Sequence, residues 1–222
     1  MNIFSERNKF KSAAKSQLNI KSLGIYFLAI IVIVSLTLVV NIVLNYLMGE
    51  KSIPGKTLDI LYRILVLPVF HMGMVYIAVG IFRGNANFGM LLKPFTSYWR
   101  VIKLSILTGL RIFLWTLLFI IPGIMLSYSY AMSQYIFEEN PNLAASEILE
   151  ISKQMMKGHR WQLFKFHLSF IGWLLLVICT CGLALVYVGP YFAVSHVNIY
   201  NALKNEAIPA SSDQIVVQQS VE

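Results

Sequence analysis

The chain has 222 residues, of which 57% are hydrophobic and 13% charged, and its formal net charge is +8. Soluble domains carry about a quarter charged residues, so this composition excludes an ordinary soluble protein. Long apolar runs recur, and a bilayer span needs about 20 apolar helical residues. The sequence therefore predicts an all-α integral membrane protein with no nucleic-acid partner, whose basic residues are best interpreted by their position relative to the membrane.

A basic segment, residues 1–22, precedes the first apolar run and contains "NKFKSAAKSQLNIKSL". No short apolar stretch with a small-residue cleavage site follows it, so we expect no cleaved signal peptide. The segment is amphipathic and is predicted to lie along the inner leaflet. There each basic residue gains about 1 kcal/mol from anionic lipids, which are the first predicted partners besides the bilayer itself.

Six transmembrane helices in three hairpins are predicted within a membrane domain at 23–204. The run 104–137 would be roughly 51 Å long as one helix, far more than a bilayer core of about 30 Å. Pro122 and Gly123 therefore indicate a break, and Gly189 with Pro190 indicates another. The predicted spans are 23–47, 60–82, 104–121, 124–139, 163–188 and 190–204.

The placement of basic residues predicts the orientation of these spans. With the N-terminus inside, fourteen of the eighteen Lys and Arg residues fall in cytoplasmic segments, whereas the outer loops carry only Lys51 and Lys56. Loops on the cytoplasmic side are enriched in Lys and Arg. We therefore expect both termini in the cytoplasm and the protein in the bacterial cell (cytoplasmic) membrane.

Between spans four and five, residues 141–157 are predicted to form an amphipathic cytoplasmic helix, with Asn140 as its cap and Gly158 as its stop. Its apolar stripe would contain Ala144, Ile148, Ile151 and Met155. This helix is either a docking surface for a partner or acidic lipid, or an elbow packed on the bundle. We favour the elbow, because such a stripe accompanies most surface helices. Residues 205–222 are polar and are predicted to be a flexible cytoplasmic tail.

Polar residues inside the spans are the first set of candidate site residues. They are His71, Ser127, Gln134, His196 and Asn198. Hydrogen bonds between helices are their more frequent use, and a binding site is the alternative. No catalytic motif and no metal-ligand spacing is present, so neither a catalytic residue nor a metal or other cofactor is expected. The two cysteines, Cys179 and Cys181, are interpreted as buried small side chains.

Basic and aromatic residues form a second candidate set, for an anionic lipid or substrate. These are Arg111, His159, Arg160, Trp161 and Lys165. Arg111 lies within the third span and either extends its side chain to the inner interface or holds an anionic group. The other four surround the predicted inner interface, where aromatic and basic residues are common.

The stretch "IIPGIMLSYSYAMSQYIFEENPNLAASEILEISKQMMKGHRWQLFKFHLSFIGWLLL", followed by "VGPYFAVSHVNIY", resembles the bacterial membrane family catalogued as domain of unknown function 975. "FKSAAKSQL" before the first span also fits this family. The resemblance implies a six-helix integral membrane protein, mostly of Gram-positive bacteria. It implies no established activity.

Three classes of function remain open on this reading. The favoured one is a non-enzymatic accessory or scaffold for envelope or export machinery, with a membrane protein partner, and one version of it is protection against membrane-active peptides. The alternative is a transporter or channel for a small solute or lipid, using the polar residues of the bundle. A lipid-modifying enzyme ranks last, because no nucleophile or acid–base pair is visible.

Overall fold

The computed structural model describes residues 3, 5–48, 53–180 and 182–219, with side-chain surroundings up to residue 206. Within these ranges the chain forms α-helices and two 3₁₀ turns, Phe88–Leu91 and Lys93–Ser97, and no strand. The helices are α1 (Arg7–Gln17), α2 (Ile20–Met48), α3 (Ile53–Leu65), α4 (Leu67–Phe82), α5 (Tyr98–Leu118), α6 (Ile120–Ser129), α7 (Ser133–Glu139), α8 (Ala145–Met155), α9 (Arg160–Leu168), α10 (Ile171–Cys179) and α11 (Leu185–Gln219).

Four helical segments are long and apolar enough to cross a membrane, counted over the described residues. They are Ile20–Met48, Pro54–Phe82, Phe88–Leu118 and Arg160–Cys179. They coincide with the first, second, third and fifth predicted spans, so the protein is all-α with membrane-spanning character. The fourth and sixth predicted spans correspond to α6 with α7 and to the first half of α11, and their crossing of the membrane stays a prediction.

Helix α4 forms the centre of the bundle. In the span that contains it, 61% of the most apolar window is buried, against 6% in α2. It contacts α2, α5, α7 and α11, as well as both 3₁₀ turns. Large apolar side chains of α2, of the second half of α5 and of α10 stay exposed, as expected for helices that face lipid.

The chain reverses between α5 and α6, three residues before the break that we predicted at Pro122 and Gly123. Phe119 leaves the helix with φ −152° and ψ 129°, and α6 begins at the next residue. Pro122 lies in the first turn of α6. Backbone N–H groups in that turn have no acceptor within the helix, so a proline there costs no helical hydrogen bond. Gly123 is helical, and its role is close approach, since a Cβ there would lie only 2.7 Å from Cα of Thr116.

The prediction of a helix break at Gly189 and Pro190 is wrong. Helix α11 begins at Leu185 and continues through both residues. The reversal comes earlier, after α10, where Gly182 has a φ of +90° that other residues rarely adopt. Pro190 is the sixth residue of this helix, so its missing N–H leaves the Val186 carbonyl without its usual helical donor. Gly189 instead allows close approach to α2, since a Cβ there would lie 3.3 Å from the Tyr26 ring.

Two further predicted features differ from the structure. The backbone of α11 remains helical to Gln219, through most of the predicted tail, whose flexibility stays a prediction. Cys179 is exposed at the end of α10 rather than buried, because α10 packs little of its surface on the bundle. Cys181 and Lys51 lie outside the described residues.

Helix α8 is shorter than the predicted 141–157. Asn140 ends α7 instead of capping α8, and the N–H of Ala144 donates to the Glu147 carboxylate at 3.1 Å. As predicted, Gly158 follows the end of the helix, with a φ of +86°.

The buried face of α8 is rotated from the predicted stripe. It consists of Ile148, Leu149 and Ser152, and Met156 follows directly after the helix, whereas Ile151 is 39% exposed. The Ser152 hydroxyl donates to the Ser129 carbonyl at 2.9 Å, in a buried contact with the end of α6. This contact selects the face that turns inward. The helix packs on the bundle through this face, as an elbow would, and the choice between an elbow and a docking surface stays a prediction.

Helix α1 is docked on the bundle through Phe10 and Ala14, both buried. The Lys11 ammonium donates to the Ser169 carbonyl at 3.1 Å and lies 4.2 Å from the centre of the Phe170 ring. Burial lowers the pKa of Lys11, and the nearby charge of Arg7 adds to the effect. The basic N-terminal segment is thus part of the packed structure.

Candidate functional site

Three helices, α4, α7 and α11, run in the same direction and are joined by charged groups near one end. The Arg83 guanidinium donates to both carboxylate oxygens of Glu138, at 3.0 and 3.1 Å. Glu139 Oε2 accepts from the Tyr200 hydroxyl and from the Lys204 ammonium, each at 2.7 Å. These bonds hold α4, α7 and α11 together next to a cavity that lies further along the same helices.

This central cavity has a volume of about 320 Å³ and lies between α2, α4, α7 and α11. Its polar wall consists of two imidazoles, one amide and two phenols, and its remaining wall is apolar or aromatic. The polar lining residues are Tyr26, His71, Gln134, Tyr135 and His196. The described lining includes no Lys, Arg, Asp or Glu, so the wall carries no fixed charge.

Gln134 occupies the boundary between this cavity and a second one. Its amide lies 3.1 Å from Nδ1 of His71 across the central cavity. The second cavity, of about 380 Å³, is bordered by α5 and α6 and has hydroxyl groups in its wall, those of Ser105, Thr108 and Ser127 among them. Ala131 and Gln134 line both cavities, so Gln134 is the polar side chain that separates them.

A chain of hydrogen bonds reaches the central cavity from the other side. The Tyr128 hydroxyl lies 3.2 Å from Nδ1 of His167, and Nε2 of His167 lies 2.7 Å from Nε2 of His196. The two imidazole rings are nearly parallel, with centres 4.8 Å apart. This chain joins α6, α9 and α11 and ends at a residue that lines the cavity.

The structure brings three of the five polar candidates together. His71, Gln134 and His196 line the central cavity, although 125 residues separate the first from the last along the chain. Ser127 lines the second cavity, and its hydroxyl donates to the Ile124 carbonyl at 2.7 Å. Asn198 lies apart from both cavities and donates to Gln17 at 2.9 Å, which fixes α1 on α11.

His167 is also a polar residue within a predicted span, but it was not selected from the sequence as a candidate site residue. His167 and His196 lie 15 and 14 residues from Gly182, which is in the turn between α10 and α11. A hairpin centred near Gly182 would have predicted this pairing. The wrong placement of the break at Gly189 concealed it.

Two residues of the second candidate set line an apolar groove, whereas Arg111 lies outside it. Arg160 and Trp161 line a groove of about 250 Å³ between α6 and α9, together with Ile124 and Phe164. Nε of Arg160 is buried without a hydrogen-bond partner. Arg111 does not line this groove.

Two other members of that set have neighbours of their own. The Lys165 ammonium lies 5.9 Å from the centre of the Trp161 ring. Nε2 of His159 lies 3.8 Å from the Glu206 carboxylate, while its Nδ1 is buried without a hydrogen-bond partner. For Arg111, extension to the interface and binding of an anionic group both stay predictions.

Residues 117–207 match the model of the family described as "Protein of unknown function (DUF975)". The match covers 91 of the 222 residues, and over that part the chain is similar to this family. The matched segment contains Gln134, Tyr135 and His196 of the cavity as well as Tyr128 and His167, whereas His71 precedes it. No curated protein and no solved structure gives a significant match to the chain. The family description names no activity, so a function has to be argued from the site itself.

Proposed function

We propose that this protein binds a small polar or amphipathic molecule in the cavity between α4, α7 and α11, as a transporter or intramembrane receptor. The observation that carries the proposal is the convergence of His71, Gln134 and His196 on one cavity. If these side chains only joined helices, tight packing would be the expected result. A cavity of about 320 Å³, mostly apolar with a few polar groups, has instead the size and character of ligand sites.

The proposed activity is binding without bond chemistry. The described lining of the cavity includes neither a carboxylate nor a Ser, Thr or Cys nucleophile. A covalent mechanism through a Ser, Thr or Cys nucleophile would need such a group next to a base. The site therefore favours a non-enzymatic role that requires no cofactor. The scaffold function, with a membrane protein partner, would be favoured if the cavity proved empty in the purified protein.

We further propose six membrane crossings with both termini on the cytoplasmic side of a bacterial cell membrane. Contacts between residues of the predicted inner segments support this topology. Arg100 donates to the side chain of Asn142 at 2.6 Å, and His159 faces Glu206. The ion pairs of Arg83 and Lys204 with α7 belong to the same end of the bundle. Basic residues of α1 that stay exposed, such as Lys9 and Lys15, would then contact anionic inner-leaflet lipids.

Single cysteines at two exposed positions test the topology. In a background in which Cys179 and Cys181 are replaced by alanine, we expect a membrane-impermeant maleimide to label Lys56→Cys in intact cells. We expect Lys157→Cys to be labelled only after the cells are opened, because the elbow would lie in the cytoplasm. Both residues are exposed in the structure, so a difference reports sidedness rather than burial. Labelling of Lys157→Cys in sealed cells would rule out the proposed orientation.

Filling the cavity tests the binding proposal. Ala193 lines the cavity, and Ala193→Phe would place an aromatic ring in the space proposed for the ligand. Leu175→Phe adds an aromatic ring on α10, where Leu175 is 58% exposed and borders no part of the cavity. After purification in mild detergent, small molecules extracted from each protein are quantified by mass spectrometry. We expect a molecule retained in near-equimolar amount by the unmodified protein and by Leu175→Phe, and a loss of about tenfold in Ala193→Phe.

Equal retention by both variants would place the molecule outside the cavity. Absence of any equimolar molecule from the unmodified protein would favour the scaffold function instead.

A further inference from the structure

The two histidines at the end of the hydrogen-bonded chain face each other through the same nitrogen. Nε2 of His167 and Nε2 of His196 are 2.7 Å apart, at the short end of the range for hydrogen bonds. A neutral imidazole has one N–H donor and one acceptor nitrogen. One hydrogen must therefore lie between the rings, and one of the two Nε2 atoms must be unprotonated.

This geometry has capacity for one added proton. If His196 donates through Nε2, His167 accepts through Nε2 and carries its own hydrogen on Nδ1, towards Tyr128. An added proton then enters at the bare Nδ1 of His196, and the shared hydrogen bond remains. A second proton would put hydrogen on both Nε2 atoms, which would break the bond and set two positive charges side by side. Coupled sites of this kind titrate as a pair rather than as two separate residues.

Aromatic rings lie on two sides of the pair, and the described contacts of the two imidazoles include no carboxylate. Phe192 lies beside both rings, with centres 5.4 Å from His167 and 4.6 Å from His196. Phe166 lies 6.0 Å from His196 on another side. Aromatic faces attract cations at such distances. These rings offset part of the cost that the burial of His196 imposes on one added positive charge.

Other ionisable groups lie near the pair on α1, α2, α4, α6, α7 and α11. From α1 the nearest is the Lys11 ammonium, which lies behind the Phe166 and Phe170 rings and opposes a second positive charge. From α6 it is the Tyr128 hydroxyl, and on α11 Tyr191 packs against Phe170. The groups that face His196 across the cavity are Tyr26 of α2, His71 of α4 and Tyr135 of α7. The carboxylates of α7, Glu138 and Glu139, lie one turn beyond Gln134 and Tyr135 and are paired with Arg83 and Lys204.

We propose that His167 and His196 together form a binding site for one proton, whose uptake puts a positive charge on the wall of the central cavity. The proton comes from solvent or from an acidic ligand, and it resides on a ring nitrogen while the hydrogen bond between the rings persists. This inference deepens the proposed function and rests on it for the ligand. Because the cavity has no fixed charge, a ligand with an anionic group would enter together with a proton.

Proton counting tests the site without a ligand. The full-length protein in detergent is titrated from about pH 8 to about pH 5, the interval in which imidazole ordinarily changes charge. The same titration is made on the double variant His167→Gln with His196→Gln, in which the amides preserve a donor and an acceptor. We expect the two curves to differ by one proton per molecule, although two histidines have been removed. A difference of two protons would show independent histidines, and a difference of none would show a purely structural pair; either result would overturn the proposal.

Nuclear magnetic resonance of ¹⁵N-histidine-labelled protein assigns the proton to the pair. We expect the His167 and His196 signals to move together with a single midpoint, and His196 to titrate at a different midpoint in His167→Gln. His71→Gln should change the midpoint shared by His167 and His196 only slightly, because His71 faces the pair from across the cavity. Separate midpoints for His167 and His196 in the unmodified protein would contradict the inference. None of these results depends on ligand retention by Ala193→Phe, so failure of the proton site and failure of the binding proposal are distinguishable.

Discussion

Replacing Gly123 by alanine is expected to lower the stability of the protein markedly, although it adds one methyl group to an apolar helix. A Cβ at this position would lie 2.7 Å from Cα and 2.8 Å from Cβ of Thr116, in addition to overlapping the Thr116 hydroxyl. Two of these three neighbours lie at the base of the side chain, so rotation cannot relieve the contact. The helices must move apart, and overpacking of this kind costs about 1–3 kcal/mol.

The matched control for this prediction is Gly109→Ala, on the helix that Gly123 contacts. A Cβ built on Gly109 has no neighbour within 4 Å, so the added methyl group is expected to be neutral or slightly stabilising. Thermal unfolding in detergent compares the two variants. We expect a decrease in Tm of roughly 5 °C for Gly123→Ala, given about 2–4 °C per kcal/mol for a chain of this size. Equal Tm values for both variants would mean that the reversal at Phe119 does not depend on close approach at Gly123.

Removal of the Glu139 side chain is expected to have a still larger effect. Its Oε2 atom accepts two hydrogen bonds at 2.7 Å, from the hydroxyl of buried Tyr200 and from the Lys204 ammonium. The same carboxylate lies 3.7 Å from Arg83, and its side chain is 18% exposed. Glu139→Ala leaves the Tyr200 hydroxyl without this acceptor inside the bundle. Hydrogen bonds to charged groups contribute about 1.5–3 kcal/mol each, so a loss on the order of 3 kcal/mol is expected.

Glu150→Ala serves as the control for the Glu139 variant. Glu150 also pairs with a lysine, Lys153, at 3.5 Å, but both side chains are about half exposed. Pairs of this kind contribute less than about 1 kcal/mol. In the same thermal assay we expect a decrease of roughly 10 °C for Glu139→Ala and little change for Glu150→Ala. Similar small shifts in both variants would show that the contacts between α7 and α11 at this end contribute little to stability.

The membrane character of the chain and most of its helical segments could be predicted from the sequence, because transfer into hydrocarbon is a property of each run of side chains. The runs around 23–47 and 60–82 were found in this way, and both correspond to candidate spans. The stop at Gly158 was also local, since glycine is the residue that best adopts positive φ at a helix end. None of these required knowledge of what the segment packs against.

The positions of the reversals were decided by tertiary structure. Gly182 and Gly189 are both glycines in an apolar run, and Gly189 has the stronger turn signal because proline follows it. In the folded protein Gly182 makes the turn, while Gly189 provides space for Tyr26. Backbone freedom and close approach are both reasons for a glycine, and sequence alone does not distinguish them.

The candidate site depended on those reversals. The polar residues His71, Gln134 and His196 could be named from their types and their depth in apolar runs. Their convergence on one cavity, and the pairing of His167 with His196, follow from which helices run side by side and in what register. A shift of the α10–α11 turn by seven residues, from Gly182 to Gly189, moves every partner across that hairpin. The sequence by itself determined that polar groups would lie in the membrane, and helix packing alone decided that two imidazoles would share one hydrogen.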